Sequence, residues 1–289
     1  MSSDLAFTWD GGCYEVERFS PAELARFQEE EEERKEKWRI AKEEEERYIA
    51  EMLAKDPNFE PPAVMWPYNP PDKLAISLED RWLPGSTIKI KFLNGSDIVH
   101  QRVIKYARIW TEHAGLSFEF VPKTKNADAK ISFGGMPSSW CLIGRACTGK
   151  SQNTETMHFG CLTENSSDEE YSRTVLHEFG HLLGFVHEHQ QPNASSIQWN
   201  KEQVYRDCAK EMGWGVSKVD EQILNPKDPK KFKIDASPFD QLSIMMYPVR
   251  KSWVVGATMD IPFNTRLSLV DIQMAKTWYP RFIITKISP

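Results

Sequence analysis

One run of twelve residues constrains this chain more than any other: His177-Glu178-Phe179-Gly180-His181-Leu182-Leu183-Gly184-Phe185-Val186-His187-Glu188. Two histidines four apart lie one turn apart on the same face of an α-helix, so a helical run lets both grip one ion. Glu178 stands beside the first and has the placement of a general base acting on a metal-activated water. Gly184 tolerates the positive φ that ends a helix and turns the chain, which brings His187 back as a third ligand. Three imidazoles leave a fourth position open, the mark of a catalytic rather than a structural zinc. At average residue usage the HExxH spacing arises by chance in about one window in tens of thousands, and the later Gly and His reduce that by about several hundred-fold more. Incidental histidines on a surface helix do not account for it. The flanks suit a helix: Ser166-Ser-Asp-Glu169 reads as a capping box, and Val175, Leu176, Phe179, Leu182 and Leu183 supply an apolar face.

These residues resemble the extended zinc motif of the metzincin metallopeptidases. The second metzincin mark is a Met-containing turn, and Ser243-Ile244-Met245-Met246-Tyr247 is similar to it. Within the metzincins the astacins look closest, since Glu188 follows the third His and a Tyr stands two residues after Met245. The resemblance implies an α+β fold: a metzincin-like zinc peptidase domain with a twisted mixed sheet, an active-site helix, a Met-turn and a C-terminal helix. It implies one catalytic Zn2+ on His177, His181 and His187, Glu178 as general base, and Met245 as the floor beneath the metal. Tyr247 becomes a candidate fifth ligand that swings away and stabilises the oxyanion. It implies a protein or peptide substrate, bound along an edge strand of the sheet. The chain departs from the family where Met246 replaces a usual His, where Pro248 stands for Gly, and where His189-Gln-Gln-Pro192 follows the zinc motif.

Charge divides the chain. Residues 1–60 carry 18 acidic and 9 basic side chains, a net of −9, and the remainder 24 and 27, a net of +3, which together give the overall −6. The near-neutral remainder has no basic stripe, which argues against nucleic acid as a partner. No apolar stretch reaches the length of a membrane span. The first residues lack a basic start followed by an apolar run, so a cytoplasmic protein is expected, with secretion as the alternative that the resemblance implies. Five cysteines are present, an odd number. The resemblance implies a Cys141–Cys161 disulfide, but Cys147 competes for Cys161, and in a reducing cytosol all five stay free.

Residues 21–55 read as one long charged helix rich in i,i+4 ion pairs, and the proline-rich 56–71 as an extended linker. The expected organisation is an acidic helical N-terminal segment with its linker over 1–71 and a catalytic domain over 72–289. Thr87–Phe92, Leu116–Val121 and Lys130–Phe133 alternate as strands, and Thr156–Phe159 is expected to border the cleft. Residues 96–114 form an amphipathic helix with Ile98, Val99, Val103, Ile104, Ala107 and Trp110 inward. A helix near 200–212, irregular chain after it, and a last helix from Leu267 to Tyr279 complete the reading. His158 is read as a strand residue on one sheet face. Arg250 and Lys251 are either solvated bases or a preference for an acidic side chain in the S1′ pocket that the resemblance puts there.

The expected activity is zinc-dependent endopeptidolysis. The resemblance further implies latency, with residues 1 to about 75 as a pro-region, Cys13, Asp56 and Glu60 as candidate blockers, and Glu188 as the partner of the amine freed by processing. A non-catalytic metzincin scaffold recruited through the acidic helix is the alternative, and a zinc hydrolase acting on something other than protein a third.

Overall fold

The strand Thr87–Phe92 (β2) buries Ile88 and Ile90 completely and exposes Thr87 and Lys89, the period of two that its sequence alternates. Around it a computed structural model describes residues 76–77, 80–135, 138–191, 194, 197–227, 234–235, 239–257 and 260–281, with Arg47, Ala50 and Ala54. The linker 56–71 and the charged helix expected over 21–55 lie outside the described residues, apart from those last three, which are helical. The chain divides into two compact units, the first of which includes Asp72–Arg281.

Its sheet has five strands in the order β3-β2-β4-β6-β5, with β3 at Ser117–Phe120, β4 at Ala129–Phe133, β5 at Ser139–Cys141 and β6 at Met157–Phe159. The first four run parallel and β5 runs antiparallel to β6, which makes the sheet mixed. The expectation that Thr156–Phe159 borders the cleft is therefore corrected. β6 is bonded on both sides, and the edge is β5, with Trp140 opposite His158. β5 follows a Gly134-Gly-Met-Pro-Ser138 run that reads as loop, which is why it escaped sequence reading. His158 lies on β6 as expected, with Nδ1 2.7 Å from Ser132 Oγ.

Helix Asp97–His113 (α1) crosses from β2 to β3 and starts at Ser96, whose hydroxyl accepts from Val99 N. Val99, Val103, Tyr106, Ala107 and Trp110 are buried, whereas Ile98, expected inward, is 55% exposed on the first turn. Trp110 joins this helix to the next by donating Nε1–H to Leu176 O at 2.9 Å and by stacking on Phe185 at 5.3 Å.

Helix Asp168–Leu182 (α2) carries the first two histidines. Its capping box is Ser167 with Glu170, one residue later than expected; Ser166 Oγ instead accepts from Thr163 N in the preceding turn. Asp168 in the first turn meets Arg102 at 2.9 Å and Lys105 at 3.2 Å, which fastens the start of α2 to α1.

A second core lies after the zinc motif. Helix Lys201–Met212 (α3) runs from Asn200 to the left-handed Gly213. The chain read as irregular after it forms a short turn of helix, Val216–Val219, that widens into a π-turn at Asp220–Leu224. Val204, Cys208, Val219, Ile223, Leu224, Met246, Val249 and Trp253 bury one another there. Helix Leu269–Trp278 (α4) starts from a capping box of Ser268 and Asp271. A further antiparallel pair, Ile76–Ser77 (β1) with Ile234–Asp235 (β7), was not expected. Among the described residues no helix is long and apolar enough to cross a membrane.

Candidate active site

On α2, His177 and His181 stand on one face with ring centroids 4.8 Å apart and planes at 88°. The helix then stops. Gly184 takes φ +97°, and the amides of Gly184 and Phe185 bond back to His181 O and Gly180 O at 2.8 and 3.0 Å. That turn returns His187 to the same point, with its Nε2 3.1 Å from Nε2 of His181. One nitrogen from each of the three rings lies within 4.8 Å of the others. His181 and His187 are fully buried, and His177 is the least covered of the three.

Hydrogen bonds fix which nitrogen faces inward. Nδ1 of His177 lies 2.8 Å from Ile244 O, and Nδ1 of His181 lies 2.8 Å from Phe185 O. A carbonyl only accepts, so each Nδ1 carries the proton and each Nε2 presents a lone pair. Nε2 of His177 is buried with no hydrogen-bond partner, an orphan that an ion accounts for. Burial, and then His181, press the His177 pKa down from 6.5 to about 3, and burial holds His187 well below its ordinary value. Neutral imidazoles converging on one point suit zinc.

The Met-turn lies directly below. Ser243 Oγ and Ile244 N both donate to Asp271, at 2.7 and 2.8 Å, and Met245 N donates to Ser243 Oγ at 3.0 Å. Asp271 thus holds the turn whose Ile244 carbonyl orients His177. A Cβ on Gly180 would collide with the Met245 sulfur, so α2 and the turn approach this closely only because position 180 has no side chain. Tyr247 is 5% exposed, with its ring 4.3 Å from that of His187 and 6.2 Å from that of His177. Glu178 is buried where α2 packs on β5. It stands near Cys141, whose thiol is pushed well up by burial and then by that carboxylate.

The Astacin peptidase family (family M12, subfamily A) matches residues 75–279. The chain belongs to the astacin family. Astacins are zinc-dependent endopeptidases of the metzincin fold, and this is one, with proteins or peptides as its substrates. Myroilysin is similar at 32% identity, TM-score 0.68, over 72% of this chain and all of that one. A second myroilysin structure gives 30% identity and a TM-score of 0.52 over 72% and 90%. A hatching-enzyme zinc protease of the medaka fish, Oryzias latipes, matches at 16% identity and TM-score 0.45 over 75% and 99%. No curated protein sequence matches the chain.

In this astacin the residues after His187 are buried. Glu188 accepts from Asp240 N at 2.7 Å and from the Gln191 amide, and its own N–H donates to Met245 O at 2.9 Å. Burial pushes its carboxyl from 4.5 up to about 8. Among the described residues no disulfide joins Cys141, Cys147, Cys161 and Cys208 to one another, so the Cys141–Cys161 bridge is not formed. Cys161 Sγ instead lies 3.4 Å from Ser139 Oγ. Arg250 does not present its charge to a pocket: its two terminal nitrogens donate to Glu211 at 2.8 and 2.6 Å. Lys251 is exposed, the solvated base of the alternative reading.

Sequence reasoning missed Gly180 and Asp271. Gly180 and Asp271 act on residues far along the chain, and spacing does not report that. The Ser268-Leu-Val-Asp271 pattern signals a helix start but not the second duty of its carboxylate.

Proposed function

We propose that His177, His181 and His187 hold the single catalytic zinc, that Glu178 is the general base, and that Tyr247 stabilises the oxyanion. The convergence of three ring nitrogens, two of them set by backbone carbonyls, carries this reading. The metal, when bound, supplies Lewis-acid polarisation and lowers the pKa of a coordinated water toward neutrality. Glu178 takes the proton of the attacking water and hands it to the nitrogen of the departing amine. Its burial, close to Cys141 of the edge strand, shields that proton from bulk solvent. Tyr247 supports the reading with a ring 4.3 Å from that of His187 and 6.2 Å from that of His177.

Glu178→Gln is expected to keep one zinc per chain and lower kcat about 10²–10⁴-fold. Metal analysis and turnover of a peptide library, with and without chelator, check it. A variant with undiminished turnover would remove Glu178 from the role, and chelator-insensitive cleavage would remove the metal.

Residues 1 to about 75 are proposed as a pro-region. The reading is supported by the family match, which begins at residue 75, and by the concentration of negative charge before residue 60.

A further inference from the structure

His189 lies two residues beyond the third histidine, in the 3-10 turn Glu188–Gln190, and is 3% exposed. Three aromatic rings surround it. It stacks on His187 at 5.4 Å and 20°, lies against Tyr247 at 4.7 Å and 33°, and meets Trp199 edge-on at 6.3 Å and 83°. Since His187 and Tyr247 also touch at 4.3 Å, the three rings close a triangle beside the zinc site.

What fixes the His189 ring comes from the other core. Its Nε2 lies 3.1 Å from Gln222 O, so Nε2–H donates to that carbonyl. The carbonyl is available for a local reason. In an α-helix it would accept from residue 226, but that residue is Pro226 and has no N–H. The chain widens here into the π-turn, in which Asn225 N donates to Asp220 O at 2.9 Å. Neighbouring carbonyls are taken in the same manner: Gln190 donates its side-chain amide to Glu221 O and Asn225 O at 2.6 and 3.1 Å. A π-turn inserted in a helix is a frequent mark of a functional position.

We propose that His189, anchored by the π-turn, is a positioning residue that sets the Tyr247 ring against His187. The inference rests on the reading of Tyr247 as the oxyanion donor. In this arrangement His189 walls one side of the phenol and limits the directions in which it moves. Removing that wall leaves the histidine ligands and Glu178 in place but lets the hydroxyl drift from where charge develops.

The test is a double-mutant cycle on the zinc-loaded full-length protein, with a metal-free readout beside it. His189→Leu is expected to lower kcat about tenfold, with KM within about twofold and one zinc retained. In a Tyr247→Phe background the same substitution is expected to have no further effect. His189→Phe, which keeps the ring but loses its N–H, is expected to lower kcat less than Leu does and to lose that effect in the same background. If the losses from His189 and Tyr247 multiply instead, the proposal is overturned. In metal-free protein carrying ring-labelled tyrosine, the Tyr247 signals, assigned by their loss in Tyr247→Phe, are expected to shift in both His189 variants. Unchanged signals overturn the proposal whatever the kinetics show. If Tyr247→Phe leaves kcat intact, the oxyanion reading fails, and the signals alone decide whether His189 positions the ring.

Discussion

Gly180 sits between Glu178 and His181, and a Cβ there would overlap the sulfur of Met245. A methyl group there has to displace the buried Met245 side chain, which belongs to the turn whose Ile244 carbonyl orients His177. Gly180→Ala is therefore expected to destabilise the protein by about 1–3 kcal/mol, the usual cost of overpacking, despite the better helix propensity of alanine. Zinc affinity should fall with it. Denaturant unfolding and competitive metal titration measure the two losses, and a variant as stable as the parent would place the turn farther from α2. The histidines make a second claim at this scale. A histidine at its ordinary 6.5 competes with protons for zinc in mildly acidic solution. His177, held at about 3, and His187, held lower than usual, do not. Zinc content after dialysis should stay flat from pH 7 down to about pH 5. Half-loss near pH 6.5 would contradict the burial that lowers these values.

At the scale of elements, Asp271 joins the C-terminal helix to the Met-turn. One carboxylate accepts from Ser243 Oγ, Ile244 N and Ser268 N, the last at 2.8 Å. An amide at that position aims a donor at donors. Asp271→Asn should cost about 1–3 kcal/mol, read as a lower Tm, and should weaken zinc binding through His177. Glu188 couples the zinc motif to the same turn, and its pKa of about 8 has a definite sign. A carboxyl raised above its unfolded value gives stability that is complete below about 4.5 and is lost as pH rises toward 8. The histidines act the other way, giving stability that is present above 6.5 and lost as pH falls toward 3. Asp271, raised by burial to about 6, has largely titrated by pH 6.5. Glu188 goes on titrating from 6.5 to 8, so its contribution to the thermal stability of metal-free protein should fall across that window. Glu188→Gln should flatten the decline; an equally steep slope in the variant would place the titration elsewhere.

Elements were legible in proportion to their length. α1, α2 and α3 lie within a residue or so of their expected bounds, because a helix repeats its pattern over several turns and advertises its cap. The two-residue β1 and β7 gave no period to read, and β5 lay behind a Gly- and Pro-containing run. The π-turn was unreadable for another reason. Pro226 signals a break, but only packing against the zinc motif decides that the break widens the helix instead of ending it.

For the whole molecule, the prediction concerns the acidic first 71 residues. If they act as a pro-region, protein beginning at residue 72 should cleave a peptide substrate at least about tenfold faster than the full chain, since an inhibitory segment at high effective concentration outcompetes substrate. Equal rates for the two forms would end the latency reading.

The metal-binding chemistry was readable from sequence because it is local. His177, His181 and Gly184 share one helix and its end, and helical geometry alone brings the two rings together. Residue types at that spacing also specify an open zinc site. Tertiary structure decided the rest, since it rests on pairs far apart in the chain. Gly180 against Met245 and His177 on the Ile244 carbonyl are such pairs. So are Arg250 neutralised by Glu211, Cys161 turned to Ser139, and His189 held by Gln222. Close approach and hydrogen-bond geometry select those partners, and neither is written in the spacing of residues along a chain.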